Sequence, residues 1–294
     1  MGLLSGLEQF GFQIDDGKGI FEDEKKKEQD KAARKLDPVP VSTAKATEAD
    51  QPETDFLFTK RVRCTICDRV FDVRMVKSAR IKRLQPDFDL RPRFQYIDTL
   101  KYDVYACPYC GYAAMSRYFE HLTRGQINLV QDTICANFKR SGDKEPDTYT
   151  YEQAIARYKL ALYCSVVKHA KTSEKAYTCL KISWLYRDMI KGMKNETEEE
   201  KQKIAEAEKE QEEFYQEAYE GLKKAVSTED FPICGMDSFT MDYLLAAIAC
   251  HYKEYSYASK AVSNILTSQI ADRRIKDRAL ELKDEIIAAI KKNA

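Results

Sequence analysis

Two C-x-x-C pairs constrain this chain more than any other feature: Cys64 and Cys67 in CTIC, and Cys107 and Cys110 in CPYC. Two short turns carrying four thiolates supply the ligand set of a closed tetrahedral zinc site. Gly111 directly follows the second pair and suits the positive-φ position that such a turn often needs. Pro108 fixes φ inside that turn and removes a competing amide donor. Valines and aromatics in strand-like context flank both pairs, among them Val70, Val73, Tyr102, Val104 and Tyr105. The pattern predicts a small zinc-ribbon-like β module. Thirty-nine residues separate Cys67 from Cys107, more than a minimal ribbon uses. Extra strands or a loop are therefore expected around Arg80 to Thr99, punctuated by Pro86 and Pro92.

Four cysteinates would close the coordination shell and leave no position for water, so the expected zinc is structural. In small zinc peptides such binding supplies about 10–16 kcal/mol of apparent folding free energy. The competing reading of the pairs is a thiol redox centre, but that chemistry wants one pair opening a helix in a βαβ unit. The remaining cysteines, Cys135, Cys164, Cys179, Cys234 and Cys250, lie singly and read as core filler. Nine cysteines without a secretory leader point to a reducing cytoplasm. No apolar run approaches the length of a membrane-spanning helix.

His121, His169 and His251 are far apart and form no zinc-hydrolase motif. His121 alone follows the second pair closely enough to be a substitute ligand or a group that supports the ligands. There is no phosphate-cradling glycine loop and no nucleophile elbow. The expectation is a protein that is not an enzyme.

Formal charge balances over the chain, with 48 basic and 48 acidic residues, but not along it. Residues 60–125 hold 14 Lys and Arg against 7 Asp and Glu, which makes the cysteine module the basic part. Within it Lys77, Arg80, Lys82, Arg83, Arg91 and Arg93 interleave with Phe88, Phe94 and Tyr96. Cations beside aromatics can hold phosphates and stack bases, which makes these six candidate nucleic-acid contacts. The competing reading is that the charges are solvated strand faces over an aromatic core.

The first 55 residues read as a flexible, charged tail. Leu3, Leu4, Leu7 and Phe10 open it at helical spacing, either tucked onto the protein's own surface or free to dock on a partner or membrane surface. A charged run from Glu22 to Lys35 and a Pro, Thr and Ala-rich linker follow. Residues 126–294 read as helical. Three stripes share one spacing: Tyr151, Ala154, Tyr158 and Ala161; Tyr215, Ala218, Leu222 and Ala225; Tyr255, Ala258, Val262 and Ile265. At 3.6 residues per turn each falls on one narrow face, small residues admitting a neighbouring helix and large ones filling the gap. The stripes resemble the second helix of a tetratricopeptide repeat, although their offsets of 64 and 40 residues are not constant. Trp184, Tyr186 and Arg187 combine residue types favoured at interface hot spots; the alternative is that Trp184 packs between helices and Arg187 pairs locally with Asp188 or a nearby Glu.

Three segments together carry a family resemblance: the first C-x-x-C pair followed by Phe71, the run KSARIKRLQPDFDLRPRFQYIDTLKYDVYACPYCGYAA, and the later SWLYRDM from Ser183 to Met189. With these the chain resembles domain-of-unknown-function family 2225 of bacteria, from about Phe56 to the carboxy terminus. Where that family usually has Pro and Gly around its first pair, this chain has Thr65 and Asp68. The resemblance implies a zinc-ribbon-like module ahead of a tetratricopeptide-like helical domain, and implies no activity.

The expectation is an α+β protein: a flexible tail over 1–55, a zinc-ribbon-like β module over 56–125, and an all-α helical-hairpin domain over 126–294. Its expected role is that of a cytoplasmic scaffold or adaptor binding another protein, the alternative being a nucleic-acid-binding zinc-ribbon protein. Oligomeric state is left open.

Overall fold

The computed structural model describes residues 2–12, 20–21, 51–140 and 145–293. The charged run and most of the linker expected before Phe56 lie outside the described residues, as do residues 141–144.

Two antiparallel hairpins form the β module. In the first, β1 (Leu57–Arg63) pairs with β2 (Val70–Val76), Val62 opposite Phe71 and Arg63 opposite Val70. In the second, β3 (Val104–Ala106) pairs with β4 (Ala113–Met115). Each hairpin is its own two-stranded sheet, and a two-stranded ribbon is marginal in water unless something else packs against it. Here Phe119 supplies a common core, its ring meeting those of Phe71, Tyr105 and Tyr112. Between the hairpins the chain makes a loop with one isolated bridge, Arg83 to Phe94, and a short 3-10 turn over Thr99–Tyr102. That loop stands where extra strands or a loop were expected.

Seven α-helices follow among the described residues. They are α1 (Arg124–Val130), α2 (Tyr151–Val167), α3 (Thr172–Gly192), α4 (Glu198–Thr228), α5 (Ser238–His251), α6 (Tyr255–Thr267) and α7 (Arg273–Asn293). Local chemistry sets several of their starts. Thr123 with Gln126, Thr150 with Gln153 and Thr197 with Glu200 form reciprocal capping boxes on α1, α2 and α4, and Asp237 caps α5. A single π-turn, Gln131–Cys135, continues α1 towards the cysteine module.

The three stripes fall on α2, α4 and α6, every second helix of the domain's run of hairpins. Their members from Ala154 to Ile265 are buried, apart from the half-buried Tyr151 and Tyr255 that begin the first and last stripes. Gly221 shows how close the packing is: a Cβ there would lie 2.7 Å from the Cβ of Ala176 on α3. The fold is thus a small β module with a cysteine cluster, followed by an all-α domain of helical hairpins. One hydrophobic core runs through both, joining Phe71 and Tyr112 to Tyr158, Trp184 and Leu222. A smaller cluster of Phe56, Leu57, Ile97, Tyr102 and Tyr149 closes the base of the first hairpin.

Candidate metal centre

Each cysteine pair occupies the turn of one hairpin, and the two turns are wired alike. In the first, Cys64 N–H donates to the Arg69 carbonyl at 2.9 Å and Asp68 N–H donates to the Cys64 carbonyl at 2.9 Å. In the second, Cys107 N–H donates to Tyr112 at 2.8 Å and Gly111 N–H to Cys107 at 3.0 Å. The residue after the second cysteine is left-handed in both, Gly111 at φ 75 and Asp68 at φ 62. Glycine takes that conformation freely; aspartate is among the few other residues that visit it. Arg63 braces the costlier turn, donating from Nε and Nη2 to the two Asp68 carboxylate oxygens at 2.6 and 2.5 Å. Asp68 is therefore accommodated, and its carboxyl titrates below the ordinary range because of the Arg63 bond.

The turns bring all four sulfurs together. Cys64 Sγ lies 3.6 Å from Cys110 Sγ, Cys67 Sγ lies 3.6 Å from Cys107 Sγ, and all four are within 4.8 Å of one another. These are not disulfides, which hold sulfurs about 2.05 Å apart; all nine cysteines are free thiols. Zinc–sulfur bonds of about 2.3 Å in a regular tetrahedron put the sulfurs about 3.8 Å apart. The observed spacing is close to that edge, so the four cysteines can hold a metal ion between them. Soft sulfur donors of this kind select zinc, copper(I) or iron over magnesium or calcium.

Electrostatics point the same way. The Cys107 thiol is pulled down to about 2 by hydrogen bonds from Cys110 and then Cys64. Cys64 is correspondingly raised to about 12, first by its bond to Cys107, and Cys110 is raised further, first by the same partner. One thiolate is stabilised by its neighbours' protons, whereas four at once in so small a space call for a cation.

Other elements hold the turns in place. Gln131 Nε2, from the π-turn, donates to the Ile66 carbonyl at 3.2 Å. Cys164 on α2 is fully buried beneath the second turn, where it accepts from Ala113 N–H at 3.4 Å and faces the Gly111 carbonyl at 3.7 Å. Burial pushes its thiol up to about 12, as expected of an inert neutral sulfhydryl. Cys135, also from the π-turn, has its thiol pKa lowered, first through its interaction with the Cys110 thiol. Phe138 covers Gly111 so closely that a Cβ there would lie 2.4 Å from its ring. His121 is exposed and outside the cysteine cluster. Cys135 and Cys164 had read as core filler; no spacing rule connects them to the pairs, since only the fold brings α1 and α2 alongside.

The six cations proposed for nucleic acid divide. Arg80, Lys82 and Arg83 are exposed and Lys77 is half-buried, with Lys77 Nζ and Arg80 Nη1 both donating to the Asp55 carbonyl. Arg91 and Arg93 are instead engaged by carboxylates, including Asp188 of the helical domain. The Arg91 side chain is 0% exposed, donates to the Trp184 carbonyl, and pairs with Asp98 at 2.6 Å and Asp188 at 2.8 Å. Arg93 is held between Asp87 at 2.5 Å and Asp188. Arg187, read either as an interface residue or as a local partner of Asp188 or a nearby Glu, reaches Asp89 at 2.6 Å. The loop from Pro86 to Arg93 thus plugs into the helical domain, where Tyr243 on α5 and Arg278 on α7 also donate to its carbonyls. Phe94 and Tyr96 pack against the smaller core, leaving Phe88 as the exposed aromatic of the three.

Paired cysteine turns in two β-hairpins, keyed by a charged loop into a helical-hairpin domain, define a two-part protein with four sulfurs placed to hold a metal ion. The profile of one bacterial family matches residues 57–286, both parts together. The chain belongs to that family, domain-of-unknown-function family 2225, described as an uncharacterized protein conserved in bacteria. No curated protein and no solved structure matches the chain. Among the described residues, no helix is long and apolar enough to cross a membrane.

Proposed function

We propose that this protein is a non-enzymatic scaffold or adaptor of the bacterial cytoplasm, in which one structural zinc ion fixes the β module and the helical domain binds another protein. The observation that carries the zinc reading is the closed donor set: four cysteine sulfurs within 4.8 Å of one another, three of them buried. Four such donors fill a tetrahedron and leave no open position for a water or a substrate. Cys64, Cys67, Cys107 and Cys110 would each supply one thiolate, and the ion would tie together two hairpins that share no sheet. Stacked helical hairpins present extended surfaces suited to peptides and helices, which supports the adaptor reading. A reducing compartment keeps the thiols available as ligands.

Affinity capture of the tagged full chain from its native bacterium, with elemental analysis of the same eluate, tests this. The expected result is zinc at about one ion per chain and a discrete protein that then binds the purified chain directly. Salt-sensitive co-elution of RNA or DNA with no such protein would overturn the adaptor reading in favour of nucleic-acid binding through Lys77, Arg80, Lys82 and Arg83.

A further inference from the structure

The amino-terminal residues are seated on the helical domain as a ligand would be. Leu7 and Phe12 are 1% and 2% exposed, and Ile20 is 5% exposed, although all three belong to a stretch remote in sequence from the elements they touch. The Phe12 ring meets the Tyr163 ring of α2 edge-on at 5.2 Å, and Phe10 stacks on Phe138 at 6.4 Å. Phe21 lies over Gly221 of α4, where a Cβ would come within 2.5 Å of its ring.

The polar contacts are those of a captured peptide backbone. Lys159 Nζ donates to the Ser5 carbonyl at 3.2 Å, Lys175 Nζ to the Ile20 carbonyl at 3.1 Å, and Lys139 N–H to the Phe10 carbonyl at 2.9 Å. Gly11, at φ 92, approaches so closely that a Cβ would be 2.7 Å from Lys139. Beside Leu7 the fit is incomplete: a cavity of about 180 Å³ remains, walled by Ile155, Lys159, Tyr186 and Met189. The chain between Phe21 and Gln51 is 29 residues long. At about 3.3–3.6 Å per extended residue, its length does not oblige the segment to sit where it does.

We propose that the surface built from α2, α3, α4 and the residues Asn137–Lys139 that follow the π-turn is a binding groove for an apolar linear peptide, which residues 2–12 and 20–21 of the chain itself fill in cis. The ligand it fits carries leucine and phenylalanine anchors five residues apart, with glycine at the point of closest approach, as Leu7, Gly11 and Phe12 do here. Bulky apolar side chains take the place of Leu7 and Phe12, and the ammonium groups of Lys159 and Lys175 hold carbonyls whatever the sequence around them. The groove therefore recognises any peptide presenting those anchors, and a partner engages by displacing the resident segment. This rests on the reading of the helical domain as the partner-binding part.

Tethering sets the arithmetic. A segment tethered in cis acts at an effective concentration of order millimolar, so a competing peptide of micromolar affinity is held off until the segment is released. The test uses a fluorescein-labelled synthetic peptide of residues 2–21 and the full-length protein. A variant with Leu7→Asp and Phe12→Asp should bind the peptide saturably, at least tenfold more tightly than wild type by fluorescence anisotropy. Adding Tyr163→Ala should weaken that binding several-fold. A second measurement needs no substitution in a packed residue: a protease site engineered between residues 37 and 50 is cut in the folded protein. The freed segment should stay bound on gel filtration and exchange for the labelled peptide.

The proposal is overturned if the released variant, with helical content and metal content unchanged, binds no better than wild type. It is also overturned if the cut segment cannot be exchanged by excess peptide, which would make it an integral part of the core. Neither readout involves a cellular partner, so a negative result here leaves the affinity capture above to be judged separately.

Discussion

Trp184, on the third helix, donates its indole N–H to the Asp89 carboxylate at 2.8 Å, across 95 residues of sequence. Both groups are buried. Arg187 bonds the same carboxylate from the next turn of the helix, and Tyr215 Oη of α4 reaches it at 3.2 Å. Burial alone would raise the Asp89 carboxyl; the Arg187 charge and these bonds more than offset that and leave it below the ordinary carboxylate range. The carboxylate is the pin by which the loop of the metal module is fastened to the helices. Breaking a buried pair on one side strands the other charge. Asp89→Asn is therefore expected to cost about 3–5 kcal/mol, read as a lower denaturation midpoint with an unchanged m-value.

The same carboxylate sets a pH signature. Its folded pKa lies below the ordinary value of 3.8, so its stabilisation is fully present above about pH 4. That contribution is lost as pH falls through the folded value. The stability difference between wild type and Asp89→Asn should therefore be constant from neutral pH down to about 4 and shrink below it. Asp188 is depressed too: burial raises it, and Arg93 and Arg91 more than compensate. Asp188→Asn should show the same sign in the same urea titrations at stepped pH. A difference that grew on acidification would contradict the ion-pair account.

The two left-handed turn positions should respond oppositely to substitution. Gly111→Ala places a Cβ 2.4 Å from the Phe138 ring and strains a backbone at φ 75. Overpacking of that kind costs about 1–3 kcal/mol before the backbone term is added. Asp68→Gly loses only an exposed ion pair and gains a residue at ease at φ 62. Metal stoichiometry and melting temperature measured on both should fall for Gly111→Ala and hold for Asp68→Gly.

What could be read in advance followed from short spacing. Two cysteines three residues apart with Gly111 behind them determine a turn, because every group involved is a near neighbour in sequence. The stripes through Ala154, Ala218 and Ala258 were legible for the same reason, since helical periodicity is local, and they mark alternate helices. The charged loop was not. Arg91 and Arg93 look alike whether they face solvent or a carboxylate, and Asp188 lies far along the chain from both. Trp184 and Arg187 had the composition of an interface and turned out to form one, between the two halves of this molecule. Cys164 and Gln131 brace the cysteine turns through contacts that exist only once α1 and α2 have docked.

Convergence of four sulfurs upon one ion is the claim the rest depends on. Metal content per chain, measured by elemental analysis of wild type and of Cys107→Ser purified under reducing conditions, tests it most directly. The account predicts about one ion per wild-type chain, with a near-complete loss and an unfolded β module in the variant. Metal-free wild type with a folded β module, or Cys107→Ser retaining the full complement, would contradict it.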